Sequence, residues 1–269
     1  MKKIKFIVLC FVLALMPFLS SCIKNDDNNN SVNNSGFARV VQGYLGGYTL
    51  LADNGETLIP SEESIAILNA NGVTLDGIDR AFIQYKFTNP EELNSQSSLD
   101  PDKQIYHISL NFIVSIDHPV AQVTKGAEND SIKSDPIIQL SGFTQTDYAL
   151  VNNGYLTIAP MYNINKVRHY FTLFHYENQE IGRSESSADP DTLNLYLSHN
   201  KNGDTGMGTP SNVLGSSYPS LYFMSFNIKN VLNNINTNKS KLIININTTE
   251  NGGADDTYKK TYSVKYDLN

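Results

Sequence analysis

Ser198 and His199 are neighbours in the chain and are the residue types that a hydrolase uses as nucleophile and base. They lie in a segment that alternates like a β-strand, in which adjacent side chains point to opposite faces. The two side chains would therefore not meet. The G-x-S-x-G elbow of serine hydrolases is also absent from the sequence, so we predict no hydrolytic site.

Three histidines and one oxygen-rich segment are candidate metal ligands. His169 and His175 are six positions apart on one predicted strand, on the same face but about 20 Å apart. His199 could approach either one, yet a pair lacks the three or four ligands that zinc takes, so we predict strand-surface histidines. Residues 200–204 resemble the first half of a calcium loop, but the twelfth position is Ser211 and not glutamate. A plain turn and no metal site are predicted.

Carboxylate pairs are the remaining candidates for acid and base chemistry. Each pair stands in a capping or turn context, where acidic residues are expected; the pairs are at 62–63, 91–92 and 255–256. The glycine-rich patterns that hold nucleotide phosphates are absent. The sequence therefore predicts a protein that is not an enzyme and that uses no cofactor.

The N-terminus has the pattern of an export signal. Residues 1–5 are basic, residues 6–19 form an apolar run of 14, and Ser20 and Ser21 precede Cys22. The run is too short for a stable membrane-spanning helix. Residues 19–22 resemble the lipobox of bacterial lipoproteins, which implies a signal peptide over 1–21 and a lipid on Cys22 that anchors the protein to the membrane. Cys10 leaves with the signal, so the folded part holds no thiol and no disulfide.

Residues 22–35 contain few apolar side chains and are predicted to form a disordered tether. Asp26 and Asp27 follow Cys22 closely and resemble the export signal that sends lipoproteins to the outer face of the Bacteroides outer membrane. The alternative is a solvated linker without a sorting role. We expect a lipid-anchored outer-membrane protein that is exposed at the cell surface.

Composition favours a β protein and argues against a protein that binds nucleic acid. Without the three lysines of the signal, 17 basic residues face 27 acidic ones, a net charge of −10. A nucleic-acid binder needs a basic face, so we predict no nucleic-acid partner. Connections rich in Asn and Gly, with 15 Tyr and 12 Phe, favour strands.

Two β domains are predicted. In residues 36–121, about five short strands and one helix capped by Ser61 suggest a small OB-like barrel. The core face of residues 104–117 is assigned to Tyr106, Ile108, Leu110, Phe112 and Val114. Residues 122–135 are polar and are predicted as a linker. Six or seven strands in residues 136–269 suggest a β-sandwich, with Leu193, Leu195 and Leu197 facing its core.

Ligand contact is the more plausible chemistry for this chain. Tyrosines combine stacking area with a polar tip, and four on predicted strands or rims are candidate contacts: Tyr44, Tyr48, Tyr196 and Tyr218. Packing within strands is the alternative role for each. Ser131 and Thr192 stand in D-S/T-aliphatic triplets that resemble O-glycosylation acceptors of exported Bacteroides proteins.

Four segments, in this order and spacing, resemble the NigD-like lipoproteins of Bacteroidetes: 46–55, 79–85, 153–158 and 193–200. The resemblance implies an N-terminal OB-like domain and a C-terminal β-sandwich, and it implies no enzyme activity. We therefore expect a protein-interaction module, either an accessory subunit of an envelope complex or a bacteriocin-immunity-type protein. The alternative is a surface glycan-binding lipoprotein that assists polysaccharide uptake.

Overall fold

The computed structural model describes residues 33–44, 46–89, 104–125, 134–177, 182, 189–205, 209–210, 223–253 and 255–268. The structural statements below refer to these residues. The predicted signal peptide, Cys22, Asp26, Asp27, Ser131 and Tyr218 lie outside the described residues.

The N-terminal part is a closed five-stranded barrel with strand order β1-β2-β3-β5-β4, closed by the pairing of β4 with β1. Its strands are β1 (Asn34–Gln42), β2 (Tyr48–Ala52), β3 (Thr57–Pro60), β4 (Arg80–Phe87) and β5 (Ile105–Ser115). Only the β3–β5 pair is parallel. The predicted OB-like barrel is confirmed, and β1 begins two residues inside the predicted tether.

One short helix connects β3 to β4, as the sequence predicts. Helix α1 (Glu62–Ala70) begins after Ser61, whose side chain accepts a hydrogen bond from the backbone N–H of Ser64. This cap satisfies one of the free N–H groups at the helix start. Leu68 packs into the barrel core, while Ile67 is exposed.

Strand β5 departs from the predicted core face. Tyr106, Ile108 and Leu110 are buried, but Ile113 is buried and Val114 is exposed. The reason is a β-bulge: Gln84 pairs with Phe112 and Tyr85 with Leu110, so Asn111 is an extra residue. One extra residue moves all later side chains to the opposite face.

The C-terminal part consists of a five-stranded sheet, order β16-β15-β12-β11-β6, and a four-stranded sheet, order β14-β9-β7 with β8 paired to β9. The strands of the first sheet are β6 (Gln122–Thr124), β11 (Tyr170–Tyr176), β12 (Asp191–Asn200), β15 (Lys241–Glu250) and β16 (Tyr258–Asp267). Those of the second are β7 (Gln139–Ser141), β8 (Ala149–Asn152), β9 (Tyr155–Met161) and β14 (Met224–Asn227). Strands β10 (Asn163–Ile164) and β13 (Thr209–Pro210) form a small separate pair, and helix α2 covers Lys229–Asn234.

The predicted sandwich is confirmed. Leu193, Leu195 and Leu197 are buried together with Ile244 and Ile246 of the parallel neighbour β15. Alternate residues of β12 and β15 remain part-exposed on the other face, as expected for a sheet with one buried face.

Strand β6 lies at the start of the predicted 122–135 linker and pairs in parallel with β11. Residues 122–124 therefore belong to the sandwich. Three residues are too few for a recognisable strand pattern, and they form a strand because they pair with β11.

Asn153 and Gly154 form the tight turn between β8 and β9 and have φ values of 51° and 75°. Positive φ at both positions is the requirement of a type I′ hairpin, which Asn-Gly meets best. No helix among the described residues is long and apolar enough to cross a membrane.

Candidate functional site

The junction between barrel and sandwich is built around one arginine. The side chain of Arg80, from the start of β4, is 1% exposed and makes a bidentate pair with Asp53 at 2.6 and 2.5 Å. Its Nε donates to Ser225 Oγ of the sandwich at 3.0 Å, and its guanidinium lies 4.8 Å from the ring centre of Tyr155. Burial raises the pKa of Asp53, and Arg80 opposes this rise. Arg80 thus connects the two domains through charge-assisted bonds.

Aromatic side chains surround this ion pair. Phe37 and Phe82 come from the barrel, and Phe143 and Phe223 from the sandwich. The Phe37 and Phe223 ring centres are 4.9 Å apart, and Phe143 stacks on Phe223 at 5.8 Å. This cluster is a third apolar core, and it holds the two domains as one unit.

Two histidines and an aspartate form a buried hydrogen-bonded chain in the sandwich. His169 Nε2 lies 3.1 Å from Asp204 Oδ2, and His169 Nδ1 lies 2.8 Å from His199 Nε2. His199 Nδ1 lies 3.3 Å from the carbonyl oxygen of Pro136. The antiparallel pair β11–β12 brings the histidines together, because Phe171 is opposite His199.

The number of protons on the two histidine rings decides how the contacts of His199, His169 and Asp204 are satisfied. The Pro136 carbonyl and the Asp204 carboxylate only accept, so three contacts need three protons, whereas two neutral histidines supply two. Hydrogen bonds from the backbone N–H groups of Asn165 and Lys166 hold the pKa of Asp204 below its usual value. Asp204 is therefore ionised and is an acceptor for His169 Nε2, and the three contacts are all hydrogen bonds only when the two rings carry a third proton.

The prediction of strand-surface histidines is wrong. His169, His175 and His199 are all buried. Burial, followed by the charge of His169, lowers the pKa of His199 to about 4. Within the described ranges, no three His, Cys, Asp or Glu side chains are arranged to hold a metal ion. Residues 201–204 form a turn, as predicted, and the contact of Asp204 with His169 connects this turn to the sheet.

A shallow cleft of about 230 Å³ opens beside His169 at the outer end of the junction. Its lining includes Asp117 and His118, which follow β5, and Arg168 and Tyr170 at the start of β11. Arg168 donates to Asp117 Oδ2 at 2.7 Å, which neutralises both charges.

The β1–β2 hairpin presents Tyr44 to solvent. Its side chain is 104% exposed relative to a free tyrosine. The turn is fixed by two backbone hydrogen bonds, from Gly43 N to Gly47 O at 2.7 Å and from Gly46 N to Gly43 O at 2.9 Å, and Gly46 has the positive φ of 88° that it needs. An aromatic side chain on a fixed turn is suited to contact another molecule.

The other predicted contact residues have different surroundings. The Tyr48 hydroxyl donates to Asp76 Oδ1, which raises the pKa of Tyr48, so its polar tip is already used. Tyr196 lies on the outer face of the five-stranded sheet, with Tyr176 at 5.0 Å between ring centres. Thr192 is part-buried in β12 between Gly182 and Ile243, and its glycosylation stays a prediction. The structure therefore does not bring Tyr44 and Tyr196 into one site, because they lie on different domains.

Sequence reasoning missed the buried histidine chain and Arg80. A signal for His199 was present, because it is in phase with the core leucines of β12. His175 is likewise in phase with Leu173. Arg80 gave no such signal, since it lies on the outward face of β4 and is buried only because the sandwich covers that face.

Residues 119–266 match the family model described as the NigD-like C-terminal beta sandwich domain. This match spans more than half of the 269 residues. The chain belongs to the NigD-like family. The resemblance found in the sequence is thus confirmed, and the NigD-like sandwich contains β6, which agrees with the pairing of that strand.

Solved structures share the fold. A candidate lipoprotein from Bacteroides fragilis has a TM-score of 0.56 at 17% identity, with 88% of this chain and 99% of that chain covered. A candidate toxin-related protein from Parabacteroides distasonis has a TM-score of 0.54 at 19% identity, with 88% and 94% covered. A Bacteroides vulgatus protein of unknown function has a TM-score of 0.54 at 17% identity, with 88% and 92% covered. A search of curated proteins gave no significant match.

Proposed function

We propose that this NigD-like protein is a non-enzymatic, lipid-anchored interaction module of the outer membrane, exposed at the cell surface. The proposed partner is an envelope protein, bound by the β1–β2 hairpin. The observation that carries this proposal is the complete exposure of Tyr44 on a turn held by two backbone hydrogen bonds.

The surroundings of Tyr44 favour a protein ligand. Val41 of β1 and Leu51 of β2 lie on the same outer face of the hairpin and are each more than a third exposed. Val41 is opposite Thr49, so Leu51 is its diagonal neighbour. An exposed tyrosine on a hairpin that also exposes aliphatic side chains is suited to a protein partner, because tyrosine is enriched in protein interfaces. The two backbone hydrogen bonds of Gly43 restrict the backbone next to Tyr44, which reduces the entropy that binding would cost.

The rigid junction supports the same role. Arg80 and the four phenylalanines join the barrel to the sandwich, so a partner held by the hairpin is also held in a fixed orientation relative to the sandwich. The titratable groups of the buried histidine chain bond to one another and to the backbone. This arrangement fits a structural role better than turnover of a substrate.

The anchor proposal rests on Cys22 and the residues before it. The similar fold of a candidate lipoprotein from Bacteroides fragilis agrees with it. Asp26 and Asp27 are the proposed sorting signal. An anchored protein meets other envelope proteins at a high effective concentration, so a weak contact at the hairpin is sufficient.

Site-specific photocrosslinking in living cells tests the hairpin. Benzoylphenylalanine replaces Tyr44 in the full chain, and Tyr258, an exposed tyrosine on edge strand β16, is replaced in a matched control. We expect a defined protein adduct from position 44 that is absent from position 258. In a second experiment the crosslinker is at position 41, and the adduct should decrease when Tyr44 is replaced by Ala. No adduct at position 44, or the same adduct from both sites, would refute the proposal.

Labelling with a palmitate analogue tests the anchor separately. The full chain should incorporate the label and its Cys22→Ala variant should not. Protease added to intact cells should digest the wild-type protein, whereas protection would place it inside the envelope. Substitution of Asp26 and Asp27 by Asn should reduce digestion if these residues direct export to the surface.

A further inference from the structure

The outer face of the five-stranded sheet carries two rows of uncharged polar side chains. Strand pairing places Tyr196, Asn247 and Thr261 in one row and Asn194, Asn245 and Ser263 in the next. The opposite face of the same strands buries leucine and isoleucine in the sandwich core. The polar rows are therefore a separate surface that core packing does not require.

Hydrogen bonds between neighbouring strands hold these side chains in place. Asn245 Nδ2 donates to Asn194 Oδ1 at 2.9 Å, and Ser263 Oγ donates to Asn245 Oδ1 at 2.7 Å. In the adjoining row, Thr261 Oγ donates to Asn247 Oδ1 at 2.7 Å. The amide groups are thus oriented before any ligand arrives, which lowers the cost of binding.

The amides keep hydrogen-bonding capacity after these contacts. A side-chain amide has two N–H donors and an oxygen with two lone pairs. Asn245 and Asn247 each use one N–H, Asn247 on the carbonyl oxygen of Leu195 at 3.1 Å. Among the described contacts, Asn194 uses only its oxygen. Donors and acceptors therefore remain side by side along both rows.

Aromatic rings border the amides on the β11 side. Tyr196 is opposite Phe174, and Tyr176 contacts Tyr196 edge to face at 5.0 Å with an interplanar angle of 68°. Phe174 and Tyr196 are part-exposed on the outer face, in phase away from the core residues Leu173 and Leu195, whereas Tyr176 is buried against Tyr196. A sugar ring packs the C–H groups of one face on an aromatic ring, while the hydroxyls around its edge reach the fixed amides.

We infer that this outer face binds a neutral oligosaccharide. Carboxylates and cations are absent from the two rows, since Lys259 and Lys265 lie in the flanking rows opposite Thr249 and Ile243. The rows and the bordering aromatic rings lie on β11, β12, β15 and β16, and four strands at about 4.8 Å spacing span about 14 Å, the scale of a short linear oligosaccharide.

This site is independent of the hairpin. The hairpin combines a tyrosine with Val and Leu on the barrel, whereas the sandwich face combines tyrosines with amides and hydroxyls. Loss of the Tyr44 adduct would leave the sugar site intact, and loss of sugar binding would leave the adduct intact, so the two proposals fail separately.

A glycan array tests the inference with the purified chain from residue 23. The array holds neutral hexasaccharides of glucose, mannose, galactose and xylose, and uronate hexasaccharides for comparison. The affinity for each neutral glycan that binds is then measured by calorimetry. We expect binding of at least one neutral glycan and none of the uronates.

Substitutions locate the binding surface. Asn194→Ala and Asn245→Ala should each weaken binding about tenfold, while Tyr258→Ala on the sheet edge should leave it unchanged. The thermal midpoint of each variant serves as the folding control, and Asn245→Asp, which keeps the shape and adds a charge, provides a second substitution at the same position. Failure of all neutral glycans to bind, preference for uronates, or unchanged affinity in both folded alanine variants would overturn the inference.

Discussion

Acid should destabilise this protein through one buried histidine. His199 stays neutral in the folded chain, because burial and then the charge of His169, whose Nδ1 is 2.8 Å from His199 Nε2, disfavour the protonated ring. Its pKa is lowered from 6.5 to about 4. In the unfolded chain it takes up a proton as the pH falls below 6.5, whereas in the folded chain it resists this until about pH 4. The contribution is therefore fully present above pH 6.5 and is lost as the pH falls toward 4.

The magnitude follows from the two pKa values. The difference between 6.5 and about 4 corresponds to about 3 kcal/mol of unfolding free energy. The slope should reach at most about 1.4 kcal/mol per pH unit for one proton. Charged groups close to the ring are His169 and Asp135, and Asp204 lies beyond His169. Protonation of His199 would place its Nε2–H against the Nδ1–H of His169, so the hydrogen bond between the two rings would be lost.

Urea unfolding between about pH 7.5 and 4 measures this loss. The comparison variant is His199→Gln, whose side-chain oxygen can still accept from His169 but does not titrate. Across this pH range the variant should lose about 3 kcal/mol less unfolding free energy than the wild-type protein. The matched control is His175→Gln, because His175 is a buried histidine of the same sheet that is not hydrogen-bonded to His169 or His199. Equal slopes for wild type and His199→Gln would refute the assigned protonation states.

Three further predictions concern the junction and one turn. Arg80→Met should lower the unfolding free energy by about 3–5 kcal/mol, since Asp53 loses its bidentate partner in a buried site; urea unfolding measures it, and recovery in Arg80→Met/Asp53→Leu would confirm the cause. Phe37→Ala should cost about 3–5 kcal/mol by the same assay, because Phe37 contacts three other rings; a loss below about 1 kcal/mol would contradict the third core. Gly154→Ala should lower the thermal midpoint by the equivalent of about 1–2 kcal/mol, because φ is 75° there, whereas Gly36→Ala, with open space around its Cβ, should not.

Capping residues and the alternation of apolar and polar residues correctly predicted the elements that short-range sequence determines. The capped helix after Ser61, the strands of the barrel and the leucine face of β12 follow from capping and alternation. Alternation failed at Asn111, because a bulge depends on the register of β4 against β5 and leaves no mark in β5 itself. Strand β6 failed for a similar reason, since its three residues become a strand only by pairing with β11.

Site residues were harder to predict, because burial by another domain is not a local property. Arg80 is on the outward face of its strand and would be exposed if the barrel stood alone. The histidine chain joins residues that are 30 and 35 positions apart. The polar rows of the outer face became visible only once β12, β15 and β16 were aligned, although Tyr196 was already a candidate contact.

The position of β1 also sets how the fold responds to a pulling force. Strand β1 starts at Asn34, at the end of the predicted tether, and is hydrogen-bonded on both sides, to β4 over residues 34–39 and to β2 over residues 38–42. Tension applied at the N-terminus acts along the strand, so these bonds carry the load in shear and must break together. In the part of the chain that the structure describes, strand β16 pairs with β15 on one side only, so it would peel away bond by bond. An attachment at the N-terminal end therefore connects the membrane to the mechanically stronger end of the molecule.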